Sequence, residues 1–206
     1  MSQDILEMMQ AMDPEGLSRQ LVMQCAPLIT GLKMSNLLMI PRACEAEVKS
    51  LLRDTELSWF TLRCTSGKTV MLLYRERELR EYLESPAVRE ILKEAGYREM
   101  SFAGTLREMR ERYRSNRQGE GAFPHEMGVF LGYPVSDVRG FIEKDGRDFL
   151  YYGYWKVYEG VEEKKRIFRG YENARDTLIE LLGGGLPLSE LLRATCGIET
   201  RTALAL

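Results

Sequence analysis

The sequence predicts an α+β fold: a small, mainly antiparallel sheet covered by several helices. Three observations carry that prediction. Leu57 to Cys64 and Lys68 to Arg75 are rich in β-branched and aromatic residues, and Thr65-Ser66-Gly67 between them is turn chemistry. The run 149–158 holds Phe149, Tyr151, Tyr152, Tyr154, Trp155 and Tyr158, a strand composition. Most of the remaining chain places apolar residues at helical spacing between Gly and Pro breaks. Two strands alone are marginal in water, so the sheet is expected to combine the hairpin 57–75 with the strand 149–158.

The elements follow in order. Residues 2–13 carry Ile5, Leu6, Met8, Met9 and Met12 on a helical stripe, which Asp13-Pro14 breaks. A second helix has Leu17, Leu21, Val22 and Cys25 as its apolar face, and Pro27 ends it or restarts the chain as a first-turn proline. Asn36 to Ile40 is a short apolar run that suits either a buried strand or a turn of helix. Residues 42–54 read as a helix. After the hairpin come helices over 76–84 and 86–95, the second opened by Ser85-Pro86 and stopped by Gly96. A polar helix covers about 101–117, and Gln118-Gly119-Glu120-Gly121 is a loop. A short helix over 124–132 opens at Pro124. Ser136 is expected to cap a helix through Lys144, with Asp137 placed favourably for its dipole. The last long helix runs about 161–182 and stops at Gly183-Gly184-Gly185. Residues 1–206 read as a single domain, and a break near Gly119 would divide it into lobes 1–118 and 119–206.

A chain of 206 residues can bury a sizeable core without metals or disulfides. The net charge of −2 lacks the electrostatic footprint of a nucleic-acid binder. Arg107, Arg110, Arg112, Arg114 and Arg117 do cluster, but Glu108 and Glu111 alternate with them, as on a solvated, ion-paired helix face. The acidic, amphipathic N-terminus is unlike a signal peptide, and no apolar run approaches the ~18 residues of a membrane span. The four cysteines, Cys25, Cys44, Cys64 and Cys196, show no CxxC pairing, so the expectation is reduced thiols in a cytoplasmic protein. No metal site stands out, and neither nucleic acid nor membrane is an expected partner.

Several stretches together resemble a known family. Phe123-Pro124-His125-Glu126-Met127-Gly128-Val129-Phe130-Leu131-Gly132-Tyr133-Pro134 is similar to the signature of the domain of unknown function 3793, a family mostly of anaerobic Firmicutes. Val138 to Ile142 follows at the matching place. Gly153-Tyr154-Trp155-Lys156-Val157-Tyr158 resembles the family's Gly-x-Trp-Lys-Val-Tyr strand, and Cys25-Ala26-Pro27 with Gly31-Leu32-Lys33 its N-terminal segment. The resemblance covers nearly the whole chain and implies no catalytic residue or ligand.

The residues themselves suggest a site around the His125 motif and the strand 149–158. His125 is the chain's only histidine. A first-turn histidine meets the positive end of the helix dipole, which favours neutral imidazole, the form a base or a metal ligand needs. Glu126 follows it, either as an orienting acid or as a plain helix N-terminal acid. If a helix restarts at Pro27, Cys25 sits beside its N-terminus, where thiolate is stabilised. Cys25, His125 and Glu126 are then nucleophile, base and orienting acid. The alternative for Cys25 is a small core hydrophobe on the stripe with Leu17, Leu21 and Val22. Lys33, Tyr133, Tyr154, Trp155 and Lys156 are the candidate ligand contacts. The strand is aromatic on both faces, which suits a doubly buried strand or a flat ligand stacked on one face.

The first reading is therefore a ligand-binding or protein-interaction module without catalysis. The alternatives are a cysteine-dependent enzyme using Cys25 and His125, and haem or iron handling through His125. Haem and flavin stay open as cofactors, and His125 is expected within hydrogen-bonding reach of the strand 149–158 or the segment 25–33.

Overall fold

The architecture is that of a computed structural model, which describes residues 3–14, 16–117 and 124–194. Helix α1 (Gln3–Ala11) and helix α2 (Leu17–Ile29) lead into strand β1 (Ser35–Pro41). A 3-10 turn (Arg42–Cys44) precedes α3 (Glu45–Leu52), and the hairpin follows as β2 (Leu57–Cys64) and β3 (Lys68–Arg75). Then come α4 (Glu76–Glu84), α5 (Pro86–Glu94), α6 (Phe102–Arg117), α7 (Met127–Phe130) and α8 (Val135–Glu143). Two short strands, β4 (Tyr151–Tyr152) and β5 (Lys156–Val157), precede α9 (Val161–Gly183) and α10 (Leu188–Ala194). Cys196 and Phe123 lie outside the described residues.

The fold is α+β, with β3 at the centre of an antiparallel sheet of order β1-β3-β2. The hairpin forms as its composition requires. Its turn is closed by Thr65, whose N–H donates to the Lys68 carbonyl at 2.9 Å and whose hydroxyl oxygen accepts from the Lys68 N–H at 3.0 Å. The expected third strand is a different one. The partner of the hairpin is β1, in register from Ser35 opposite Tyr74 to Pro41 opposite Lys68. The run 149–158 does not join this sheet: β4 and β5 pair only with each other. The physical reason is length. Leu37 to Ile40 is unbroken and can fill both faces beside β3, whereas Gly153 splits the aromatic run and folds it back on itself.

Strand alternation divides the core into two parts. Leu38 and Ile40 of β1, with Met71 and Leu73 of β3, face α2, α3, α9 and α10 in one cluster. Leu37, Leu72, Tyr74 and Leu62 face α4, α5, α6, α7 and α8 in the other. With both faces covered, β3 is buried from Met71 to Arg75. The helices on either side lie across any division at residue 118, since α9 packs on α1 and α2 while α7 packs on α4.

Several helix boundaries differ from expectation, those of α2 and α8 among them. Pro27 neither ends nor restarts α2: it lies inside the helix, with its missing N–H directed at the carbonyl of Met23, an exposed residue. The C-terminus of α2 is closed instead by the buried Arg75, whose Nη2 donates to the Leu28 and Ile29 carbonyls at 3.3 and 3.4 Å. A cation there also complements the helix dipole. Helix α8 begins after Pro134, ahead of Ser136, and Ser136 makes no side-chain cap.

Candidate functional site

Helix α7 has four residues, and Pro124, His125 and Glu126 form the turn before it, closed by the Met127 N–H on the Pro124 carbonyl at 3.0 Å. His125 therefore lies outside the helix, and the first-turn argument for its imidazole lapses. The segment is anchored on one face of the sheet. Ser35 donates its hydroxyl to the Phe130 carbonyl at 2.6 Å, and Tyr82 donates its own to the Tyr133 carbonyl at 2.5 Å. Gly132, at φ 67°, takes the left-handed turn that ends α7 and aims Tyr133 and Pro134 into α8.

The hairpin β4–β5 is held against α8 by one buried carboxylate. Asp137 Oδ2 accepts from Trp155 Nε1 at 2.7 Å, and its Oδ1 accepts from the Tyr158 N–H at 2.8 Å. Asp137 sits in the first turn of α8, where the helix dipole also favours its charge. Trp155 is further packed by Tyr133, stacked at 4.9 Å between ring centroids, and by Phe168, edge-on at 4.5 Å. With Tyr171 and Val157 these rings form a third, small cluster.

Between α7, α8 and the hairpin lies a cavity of about 290 Å³. Leu37, Met127, Gly128, Leu131, Val138 and Phe141 supply most of its apolar wall, and Tyr133, Tyr152 and Trp155 the rest of its aromatic surface. Besides the two tyrosine hydroxyls, its ionisable groups are His125, Asp137 and Lys156. Phe149, Leu150 and Tyr152, beside it on the hairpin, are all exposed. The Lys156 ammonium donates to the Gly146 carbonyl at 2.6 Å and lies 5.5 Å from the Phe141 ring and 5.0 Å from that of Phe149. Such cation–π contacts keep a half-buried ammonium at an aromatic surface.

The structure thus places His125, Tyr133, Trp155 and Lys156 around one cavity, and the other candidates elsewhere. Tyr154 turns its ring onto Phe168 and Tyr171, away from the cavity wall. Lys33 is buried behind Tyr133: its ammonium donates to Asn36 Oδ1 at 2.6 Å and lies 5.0 Å from the Tyr133 ring. Burial pulls the Lys33 amine down to about 8. Glu126 is buried in a neighbouring cleft, where Oε1 accepts from the Tyr97 hydroxyl at 3.2 Å and meets Arg112 at 3.7 Å. Burial, then the Glu126 charge, pushes the Tyr97 hydroxyl far up. The expected hydrogen bond from His125 to the strand or to the segment 25–33 is absent among the described residues. The His125 ring packs edge-on against Phe141 of α8 at 5.1 Å instead.

Cys25 and His125 are not brought together. Cys25 belongs to the cluster with Leu38, Ile40 and Leu73, while the His125 segment packs with Leu72 and Tyr74 on the opposite face of the sheet. The Cys25 thiol is fully buried inside α2, and burial pushes it up to about 12. With no helix start at Pro27, the premise for a thiolate is gone, and Cys25 behaves as the small core hydrophobe. Among the described residues, no group of three His, Cys, Asp or Glu is gathered to hold a metal.

Leu37, Asp137, Val138 and Phe141 are the cavity residues outside the stretches that the sequence singled out for the site. Asp137 was legible only as a helix N-terminal acid. Its partner Trp155 lies 18 residues away, and no spacing rule links the two. Phe141 stood inside the family-like segment 138–142, but nothing marked its ring as lining a site.

A three-stranded antiparallel sheet between helical layers, with an aromatic-rimmed cleft beside it, defines an α+β protein with a pocket of mainly apolar wall. Within that class, the chain belongs to the family described as Protein of unknown function (DUF3793), whose model matches residues 21–192. No curated protein and no solved structure matches it. Among the described residues, no helix is long and apolar enough to cross a membrane.

Proposed function

We propose that the protein is a ligand-binding module whose site is the cavity between α7, α8 and the β4–β5 hairpin. One observation carries the reading: His125, Asp137, Trp155 and Lys156, drawn from three separate stretches, line a single concave pocket of mainly apolar wall. Concave, mostly apolar pockets with a few polar groups are the usual form of small-molecule sites. A volume of about 290 Å³ lies at the small end of such sites, which favours a ligand well below the size of haem or flavin. Trp155 already stacks on Tyr133 and meets Phe168 at right angles, which leaves Tyr152 and Phe141 as the freer rings for a flat ligand.

The test is a fragment screen read by chemical-shift changes at the Trp155 indole and the Lys156 backbone, repeated on Leu131→Trp. The larger ring is expected to fill the cavity and abolish the hits while the fold persists. Hits that survive Leu131→Trp, or that map away from α7 and α8, overturn the reading.

A further inference from the structure

We propose that the cavity takes a small organic acid, with its apolar body between α7 and α8 and its carboxylate at Lys156 and His125. This deepens the reading of the cavity as a ligand site and rests on it.

Asp137 is already served. Each of its oxygens accepts one protein donor, Trp155 Nε1 or the Tyr158 N–H, and it stands at a helix N-terminus. Lys156 is not saturated. An ammonium carries three donors, and the described acceptor for Lys156 is the Gly146 carbonyl. The half-buried His125 adds one donor and one acceptor as a neutral imidazole, neither with a hydrogen-bond partner among the described residues. Lys156 makes no ion pair with a described residue, so a complementary ligand brings an anionic acceptor to it.

Both groups border one residue of the cavity wall: the His125 ring is 5.1 Å and the Lys156 ammonium 5.5 Å from the Phe141 ring. Lys156 lies beside the exposed Phe149, which puts its ammonium at the mouth. Deeper in, Met127, Leu131 and Val138 present only apolar surface, where an anion would lose its hydration without compensation. The Asp137 charge repels a second anionic group. The fit is thus to a monoacid with an apolar tail, and it disfavours diacids, phosphates and amines.

Isothermal titration with hexanoate, hexan-1-ol and hexylamine separates the possibilities, because the three share one tail. Hexanoate is expected to bind at least about tenfold more tightly than the other two, a difference that Lys156→Met removes and Lys156→Arg retains. Equal or tighter binding of the alcohol or amine overturns the acid assignment and leaves the cavity reading standing. So does an advantage for hexanoate that survives Lys156→Met. An absence of binding by all three overturns the acid assignment, and the fragment screen on the native chain and Leu131→Trp then decides the cavity reading by itself.

Discussion

Lys33 is a buried cation without a described carboxylate partner, and its energetics can be read from one shift. Its amine, ordinarily at 10.5, falls to about 8, chiefly through burial. Below pH 8 it is charged in both folded and unfolded chains, and the folded chain carries the cost of holding that charge. Between about 8 and 10.5 the unfolded chain binds more protons than the folded one, so this residue makes stability rise with pH. The Cys25 thiol acts in the opposite sense, since its rise from 9.0 to about 12 makes the folded chain the better proton binder above pH 9. The Lys33 effect is therefore cleanest from pH 7 to 9. At full strength the depression corresponds to about 3 kcal/mol, reduced by the Asn36 hydrogen bond that substitution would strand. Lys33→Met is expected to stabilise the protein by about 1–3 kcal/mol at pH 7, with the gain shrinking as pH rises past 8. Urea denaturation at a series of pH values checks this, and a less stable variant at pH 7, or a gain that does not change with pH, shows it to be wrong. The same two shifts explain why the cysteine reading fails at this scale: burial dominates both groups, and it disfavours the thiolate that catalysis would need.

At the scale of elements, the β4–β5 hairpin depends on how closely it sits against α8. Two paired residues per strand cannot hold a hairpin by themselves. Asp137 supplies the polar attachment, and Gly140, one turn further along α8, supplies the space. A Cβ on Gly140 would come within 2.5 Å of Tyr158 Cγ and 2.7 Å of its Cβ. The near atoms belong to the base of the side chain, which cannot swing away as a chain end could. Gly140→Ala is therefore expected to cost about 1–3 kcal/mol by prising the hairpin from the helix. It should also speed hydrogen exchange at the Tyr158 amide, which donates to Asp137. Unchanged stability and unchanged exchange would show that the contact has more slack than the geometry implies. The hairpin is also where the sequence misled. Ten aromatic-rich residues suggested one long strand, but Gly153 reverses the chain within them, packed so that a Cβ there would collide with the Phe168 ring. Composition reported strand character that holds only at Tyr151–Tyr152 and Lys156–Val157, and it could not report which strand would pair with which.

Across the whole molecule, β3 carries both cores. Leu72 faces one helical layer and Leu73 the other, and both side chains are fully buried. Each truncation to alanine is expected to cost about 2–5 kcal/mol. Because one strand connects the two clusters, both variants should lower the midpoint of the same single unfolding transition. Two separated transitions by calorimetry, each moved by only one substitution, would instead mean that the layers fold as independent units.

The sequence by itself determined what depends on near neighbours. The hairpin 57–75 follows from its turn residues, the helices over 76–84, 86–95 and 161–182 from periodicity and stop signals, and the family from the motif at 123–134. It also picked out His125, Tyr133, Trp155 and Lys156, which the fold does set around one cavity. The tertiary structure alone decided that β1 completes the sheet and that the sheet stands between Cys25 and His125. It alone joined Asp137 to Trp155 and left Lys33 and Tyr154 outside the cavity. The reason is physical. Turn chemistry and apolar spacing act over a few residues, where the chain is its own neighbour. Strand partners, the two faces of a sheet and a buried carboxylate's donors are chosen by packing between segments far apart in sequence, and there the unbroken β1, not the run that Gly153 divides, lies beside β3.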